Sequence, residues 1–164
     1  MNKILSILLF ITMTSRILNA SFPAIVTDID GSKIDLIKLS AQKRVVVITM
    51  KTAECTVCQR QLIRIKDKLN ELAACNVTFL VLAPGSIDKI QKVKFITKFP
   101  FPFILDKDLE IAKSLDLTID EKQILPSLLI LNEKLEIIWQ QRGRNSLFYG
   151  DPELMKILNC SSWI

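Results

Sequence analysis

The sequence predicts one α/β domain in which a βαβ unit is followed by ββα. Three observations carry that prediction. Val45-Val46-Val47-Ile48 is an unbroken β-branched run, the pattern of a central strand buried on both faces. From Gln59 to Ala73 the apolar residues Leu62, Ile65, Leu69 and Leu72 recur three or four apart, which makes an amphipathic helix. Between them lies Cys55-Thr56-Val57-Cys58, a cysteine pair at a turn from strand to helix.

The remaining elements follow in order. Ahead of the strand, Asp30-Gly31 sits between the apolar positions Ile25, Ile29, Ile34 and Leu36, a hairpin signal; Asp28 and Asp30 belong to its turn rather than to a metal site or acid/base pair. Val77 to Ala83 is a second buried strand, and Ile87, Ile90 and Val93 mark a helix. Lys89, Lys92, Lys94 and Lys98 form its solvated face. Phe99-Pro100-Phe101-Pro102 is a buried entry to the short strand Phe103 to Leu105, and Leu109 to Leu115 adds a helical turn or two. Leu125-Pro126-Ser127 opens the strand Leu128 to Leu131, Asn132-Glu133-Lys134 turns the chain, and Leu135 to Gln140 returns it with Trp139 in the core. Pro152 begins a closing helix that ends near Leu158.

Composition narrows the function. With 164 residues, 49% apolar and 24% charged, the chain suits one compact core and excludes a disordered tail, a fibre and a polytopic membrane protein. It has no histidine, which excludes Ser-His-Asp and Cys-His catalysis and imidazole metal sites. A net charge of +5 points to no particular partner and gives no reason to expect nucleic acid.

Residues 1–20 read as a cleavable signal peptide: Lys3, an uncharged run from Ile4 to Ser15, Arg16, then Leu18-Asn19-Ala20. The run is shorter than a bilayer span, so a membrane is a partner only if the leader is retained. The expectation is an exported protein, periplasmic or secreted, with residues 21–164 as its domain in a compartment where cysteines hold disulfides.

A Cys-x-x-Cys pair between a buried strand and a helix predicts redox chemistry. Unpaired N–H groups and the dipole at the helix start favour a thiolate at Cys55, while Cys58 lies one turn deeper. Cys55 therefore attacks a substrate disulfide, and Cys58 resolves the mixed disulfide. Glu54 opposes the thiolate; Lys51 and Arg60 favour it.

Strand, Cys-x-x-Cys, amphipathic helix and a later proline opening an antiparallel pair together resemble the thioredoxin superfamily over residues 22–158. Asp30-Gly31-Ser32-Lys33-Ile34, Phe101-Pro102-Phe103-Ile104-Leu105-Asp106 and Leu128-Leu129-Ile130-Leu131-Asn132 are similar to its redoxin branch of TlpA-like oxidoreductases and AhpC/TSA peroxiredoxins. The resemblance implies a thioredoxin-like fold, a central mixed sheet flanked by helices with an N-terminal β-hairpin. It matches Pro126 to that fold's cis-proline and makes Leu125, Pro126 and Ser127 substrate-contact candidates through the backbone of their loop. The helices ending near Cys75 and Cys160 would share a face of the sheet and end side by side, which implies a structural disulfide Cys75–Cys160. No metal and no cofactor is implied.

The departures are specific. Glu54 and Thr56-Val57 stand where TlpA-like proteins carry an aromatic and a proline. The peroxiredoxin Pro-x-x-x-Thr-x-x-Cys is half kept, as Thr52-Ala53-Glu54-Cys55 with Ile48 in the proline's place. Pro126-Ser127 occupy the place of the peroxiredoxin arginine, Arg142 and Arg144 lie beyond the next strand, and Arg64 lies along the helix. The expected function is an exported thiol-disulfide oxidoreductase, a monomer exchanging disulfides with protein thiols and with an upstream redox partner. The alternative is a peroxiredoxin-like thiol peroxidase reducing hydroperoxides at Cys55. A Sco-type copper chaperone would need a histidine and a wider cysteine spacing, and a catalytically silent redoxin scaffold would not depend on Cys55.

Overall fold

The computed structural model describes residues 21–143 and 151–158; residues 1–20, expected above to be a leader, lie outside them, as do Arg144 and Cys160. The strands are β1 (Ile25–Thr27), β2 (Lys33–Asp35), β3 (Arg44–Thr49), β4 (Val77–Ala83), β5 (Phe103–Leu105), β6 (Ser127–Leu131) and β7 (Ile137–Arg142). The helices are α1 (Leu36–Ser40), α2 (Thr56–Asp67), α3 (Leu69–Leu72), α4 (Ile87–Thr97), α5 (Glu110–Ser114) and α6 (Asp151–Leu158).

β1 and β2 form the expected hairpin. The Asp28 carboxylate accepts the N–H groups of Asp30 and Ser32, and Gly31 adopts φ +86°, a conformation open to a residue without Cβ. Asp30 turns outward and pairs with Lys94. Leu36 leaves the strand alternation and starts α1, because the Asp35 carboxylate caps that helix by accepting the Lys38 N–H at 3.0 Å.

The five-stranded mixed sheet has the order β5-β4-β3-β6-β7. β3 is parallel to β4 and antiparallel to β6, so both its edges are hydrogen-bonded, and Val45 to Ile48 are fully buried. Its side chains alternate between two cores. Val46 and Ile48 join Phe79, Val81, Leu128 and Ile130 beneath α2, α4 and α6, whereas Val45 and Val47 join Leu80, Leu82 and Leu129 beneath α1, α5 and Phe22. A strand buried this way has no polar alternate position, which accounts for the unbroken β-branched run.

Three details differ from expectation. α2, which begins at the cysteine pair as expected, breaks at Lys68 before the single-turn α3 and a 3-10 turn that ends at Cys75. β7 begins at Ile137 because Leu135 adopts φ 62° and buries its side chain, while the Asn132 carboxamide oxygen accepts the N–H groups of Lys134 and Glu136. Trp139 is partly buried against the core under α2 rather than enclosed in it. Phe99, in contrast, is buried and stacks edge-on with Phe79 and Phe103, as expected of a strand entry.

α2 and α6 cover the same face, and the Leu158 carbonyl lies 3.5 Å from Arg44 Nη1, while the Arg44 N–H bonds the Asn76 carbonyl. The end of α6 thus reaches the edge where Cys75 sits. Cys75 is disulfide-bonded; its expected partner Cys160 lies outside the described residues.

Asp106 is buried just after β5, and its carboxylate accepts the N–H groups of Ile111 at 3.2 Å and Ala112 at 2.8 Å. Leu109, at φ 58°, offers α5 no side-chain cap, so Asp106 supplies it from outside. Replacing Asp106 with Ala strands two N–H groups and is expected to cost about 1–2 kcal/mol in urea denaturation, with Asp106→Asn recovering most of it.

Candidate active site

The chain leaves β3 at Met50, whose N–H still bonds the Leu82 carbonyl, and reaches Cys55 through a loop closed by the Cys55 N–H to the Thr52 carbonyl. Gln59 ties the loop to the helix by donating its Nε2 to the Ala53 carbonyl at 2.8 Å. Cys55 is the N-cap of α2. Its sulfur accepts the Cys58 N–H at 3.3 Å, the position where a serine or aspartate oxygen ordinarily sits. Cys55 and Cys58 are joined as a disulfide with 5.3 Å between their Cα atoms.

Their environments differ. Cys55 is half-buried, while Cys58 is 1% exposed, packed with Leu62 in the core, and its sulfur receives the Lys51 N–H at 3.5 Å. The accessible sulfur is therefore the one at the helix N-terminus, where an N–H and the helix dipole favour negative charge once the bond is reduced.

Glu54 is engaged by a lysine of α4. Lys89 Nζ lies 2.5 Å from Glu54 Oε1, and this charged hydrogen bond, with help from the Glu54 backbone N–H and the Thr52 hydroxyl, holds the carboxyl below its ordinary value. The carboxylate that the sequence sets against the Cys55 thiolate is paired with a lysine of α4, 35 residues downstream. Among the expected cations, Lys51 and Arg60 are both exposed beside the pair.

Leu125, Pro126 and Ser127 are brought to the same sheet edge. The Ile124 N–H bonds the Lys51 carbonyl at 3.2 Å, and Ser127 pairs in register with Thr49. Leu125 is half-buried; Pro126 and Ser127 are buried. The Leu125–Pro126 bond is trans, where the resemblance implied cis. The intrinsic preference between the isomers is only about 0.5–1 kcal/mol, so local contacts decide. Here the Leu125 carbonyl accepts both the Thr49 hydroxyl at 2.6 Å and the Ser127 hydroxyl at 3.1 Å, which fixes the orientation of that peptide.

Arg142 is the residue that reasoning along the chain set aside. The antiparallel return of β7 pairs it with Ser127, so it reaches the sheet edge that carries the site, with its guanidinium 3.7 Å from Asp116 Oδ2. Counting outward from the 132–136 turn would have found it. Arg64 lies in the last turn of α2, at the end of that helix away from Cys55.

A mixed sheet of this order, with a Cys-x-x-Cys disulfide capping the helix after its central strand, defines a thioredoxin-like redoxin. The profile of the AhpC/TSA family matches residues 18–140, three quarters of the chain, and the protein belongs to that family. It is thus a thiol-based oxidoreductase. No curated protein matches the sequence. Among solved structures, the peroxidoxin BcpB of Mycobacterium tuberculosis superposes with a TM-score of 0.69 at 16% identity, covering 85% of this chain and 94% of the other. The bacterioferritin comigratory protein of Xanthomonas campestris, described for alkyl peroxide reduction, gives 0.71 at 15% identity over 87% and 94%. A secreted disulfide oxidoreductase of M. tuberculosis gives 0.65 at 16% identity over 85% and 96%. At these identities the likeness is one of fold.

Lys89→Met tests the electrostatics. Because the Glu54 carboxyl is lowered from 4.5, its ion pair is in place at neutral pH and lost as pH falls through the lowered value. In the variant the Glu54 carboxyl carbon, followed by NMR, is expected to titrate closer to 4.5.

Proposed function

We propose that the protein is a thiol-disulfide oxidoreductase that exchanges disulfides with protein thiols through Cys55 and Cys58. The observation that carries this reading is the formed Cys55–Cys58 disulfide at the N-terminus of α2, one sulfur accessible and the other buried. In the oxidising direction a substrate thiolate attacks Cys55 Sγ, and Cys58 leaves as a thiolate. A second substrate thiolate then attacks the mixed disulfide and releases Cys55. Two electrons pass from the substrate dithiol to the protein, and two thiol protons are released to solvent or to the new thiolates. The reducing direction is the reverse, with Cys55 attacking. The reaction needs no bound cofactor. We further read residues 1–20 as a leader removed on export, residues 21–164 as a monomeric domain, and an upstream redox partner as the source or sink of electrons.

A second reading, peroxide reduction, is favoured by the family, by Thr52 three residues before Cys55, and by Arg142 at the sheet edge. There the Cys55 thiolate takes the terminal oxygen of a hydroperoxide, the alcohol leaves with a proton, and Cys58 attacks the sulfenic acid to expel water and form the same disulfide.

A redox titration in glutathione buffers, with each cysteine read by differential alkylation and mass spectrometry, separates these readings when paired with stopped-flow peroxide consumption. Cys55 and Cys58 are expected to interconvert as one two-electron couple, at about −270 mV for a reductant or about −120 mV for an oxidant. Cys55→Ser abolishes exchange with a protein disulfide, and Cys58→Ser accumulates the mixed disulfide. Independent titration of Cys55 and Cys58 overturns the reading, and peroxide consumption far above the rate of free cysteine moves it to the peroxidase.

A further inference from the structure

Beside the Cys55 cap, α2 and α4 leave a groove of about 270 Å³. Ala53, Val93 and Ile96 give it apolar walls, Gln59 and the Glu54–Lys89 ion pair add polar groups, and Lys92 completes the lining as its one unpaired charge among the described residues. The volume is below that of ordinary small-molecule pockets and the groove is partly open, which suits a side chain or two of a longer partner. Its apolar surface continues outward along α4. Ile96 is 49% exposed, and Phe95, one helical turn from Lys92, is 81% exposed.

The other flank of the disulfide offers little to a polypeptide backbone. The Leu125 N–H bonds the Leu117 carbonyl at 2.7 Å, the Leu125 carbonyl already accepts two hydroxyls, and the Pro126 carbonyl accepts the Gly143 N–H at 2.7 Å. Pro126 has no N–H to offer. The loop that the resemblance assigns to backbone pairing is therefore satisfied within the fold, and a partner must be oriented from the α4 side.

Charge defines the partner further. Lys51, Arg60, Lys89 and Lys92 are exposed around the Cys55 cap, and of these only Lys89 has an ion pair among the described residues, to Glu54. The exposed Asp88 is the other nearby acid on α4. We propose that the α2–α4 groove docks the chain segment flanking the reactive cysteine of a protein substrate, and that it selects segments with an acidic residue for Lys92 and an apolar residue for Val93, Ile96 and Phe95. This rests on the oxidoreductase reading above and names the substrate class for the same cysteine.

The test uses the Cys58→Ser protein, whose reduced Cys55 attacks a peptide cysteine activated as its thionitrobenzoate mixed disulfide. The Cys55–peptide disulfide forms, and thionitrobenzoate leaves as a coloured anion that reports the rate. Peptides with Glu-Phe, Lys-Phe and Gly-Ser flanks are compared. Every rate is divided by that of the peptide-free cysteine derivative on the same protein, which removes changes in Cys55 reactivity itself. The acidic apolar peptide is expected to outpace the basic one by about threefold at low salt, with the advantage shrinking as salt rises. Lys92→Glu should reverse the ratio, and Phe95→Ser should reduce the gain of both phenylalanine peptides over the Gly-Ser peptide. An acidic-to-basic ratio near one, or one unchanged in Lys92→Glu, overturns the docking site. Absence of thionitrobenzoate release from the peptide-free derivative instead overturns the oxidoreductase reading beneath it.

Discussion

Because β3 is hydrogen-bonded along both edges and buried on both faces, its end is held in place by four neighbours, two strands and two helical layers. The chain leaves that fixed point at Met50 and must begin α2 within a few residues. The Cys55 sulfur completes the turn by accepting the Cys58 N–H, so the atom we propose as the redox centre is itself the helix cap. Reduction leaves the cap in the same place as a better acceptor, because a thiolate carries the charge that the first N–H groups of a helix favour. The reduced state is stabilised by the element that positions the oxidised one.

The surroundings decide how far that preference is opposed. A carboxylate adjacent in sequence to Cys55 would disfavour the thiolate, but Glu54 is committed to Lys89. α4 can supply that lysine because it connects two parallel neighbours, β4 and β5, on the face that α2 also covers. The same crossover opens the groove. The β6 side is closed by a different logic: Thr49, at the end of β3, donates its hydroxyl to the Leu125 carbonyl, so the strand that launches the cysteine loop also pins the proline loop.

Much of this was legible in the sequence wherever one physical pattern dominated. The β-branched run fixes β3, the threefold and fourfold spacing fixes α2, and Asp-Gly fixes the hairpin. Legibility failed where one residue serves two patterns. Leu36 continues the strand alternation and yet packs from the first turn of α1, since Asp35 caps the helix there. Leu135 looks like a strand residue because it is buried, but it is buried from a left-handed turn. At the site, the cysteine pair was readable from its spacing and context, and the loop 125–127 only through the family resemblance. The Glu54–Lys89 pair, the trans peptide before Pro126 and the position of Arg142 depend on contacts between distant segments, which no local pattern encodes.

Arg142 shows why distance along the chain misleads in this fold. A hairpin returns its second strand to the level where the first began, so the last residue of β7 is as near the β3 terminus in height as the first of β6, displaced sideways by two strand spacings, about 10 Å. Asp116 answers its charge there, whereas Lys51, Arg60 and Lys92 have no acidic partner among the described residues. The cations closest in the chain to Cys55 are thus the ones left free to meet an incoming anion, and the one that would correspond in kind to a peroxiredoxin arginine is partly occupied. An anionic partner approaching over α2 and α4 thus meets cations that no described acid pairs, which is the charge balance behind the proposed docking groove.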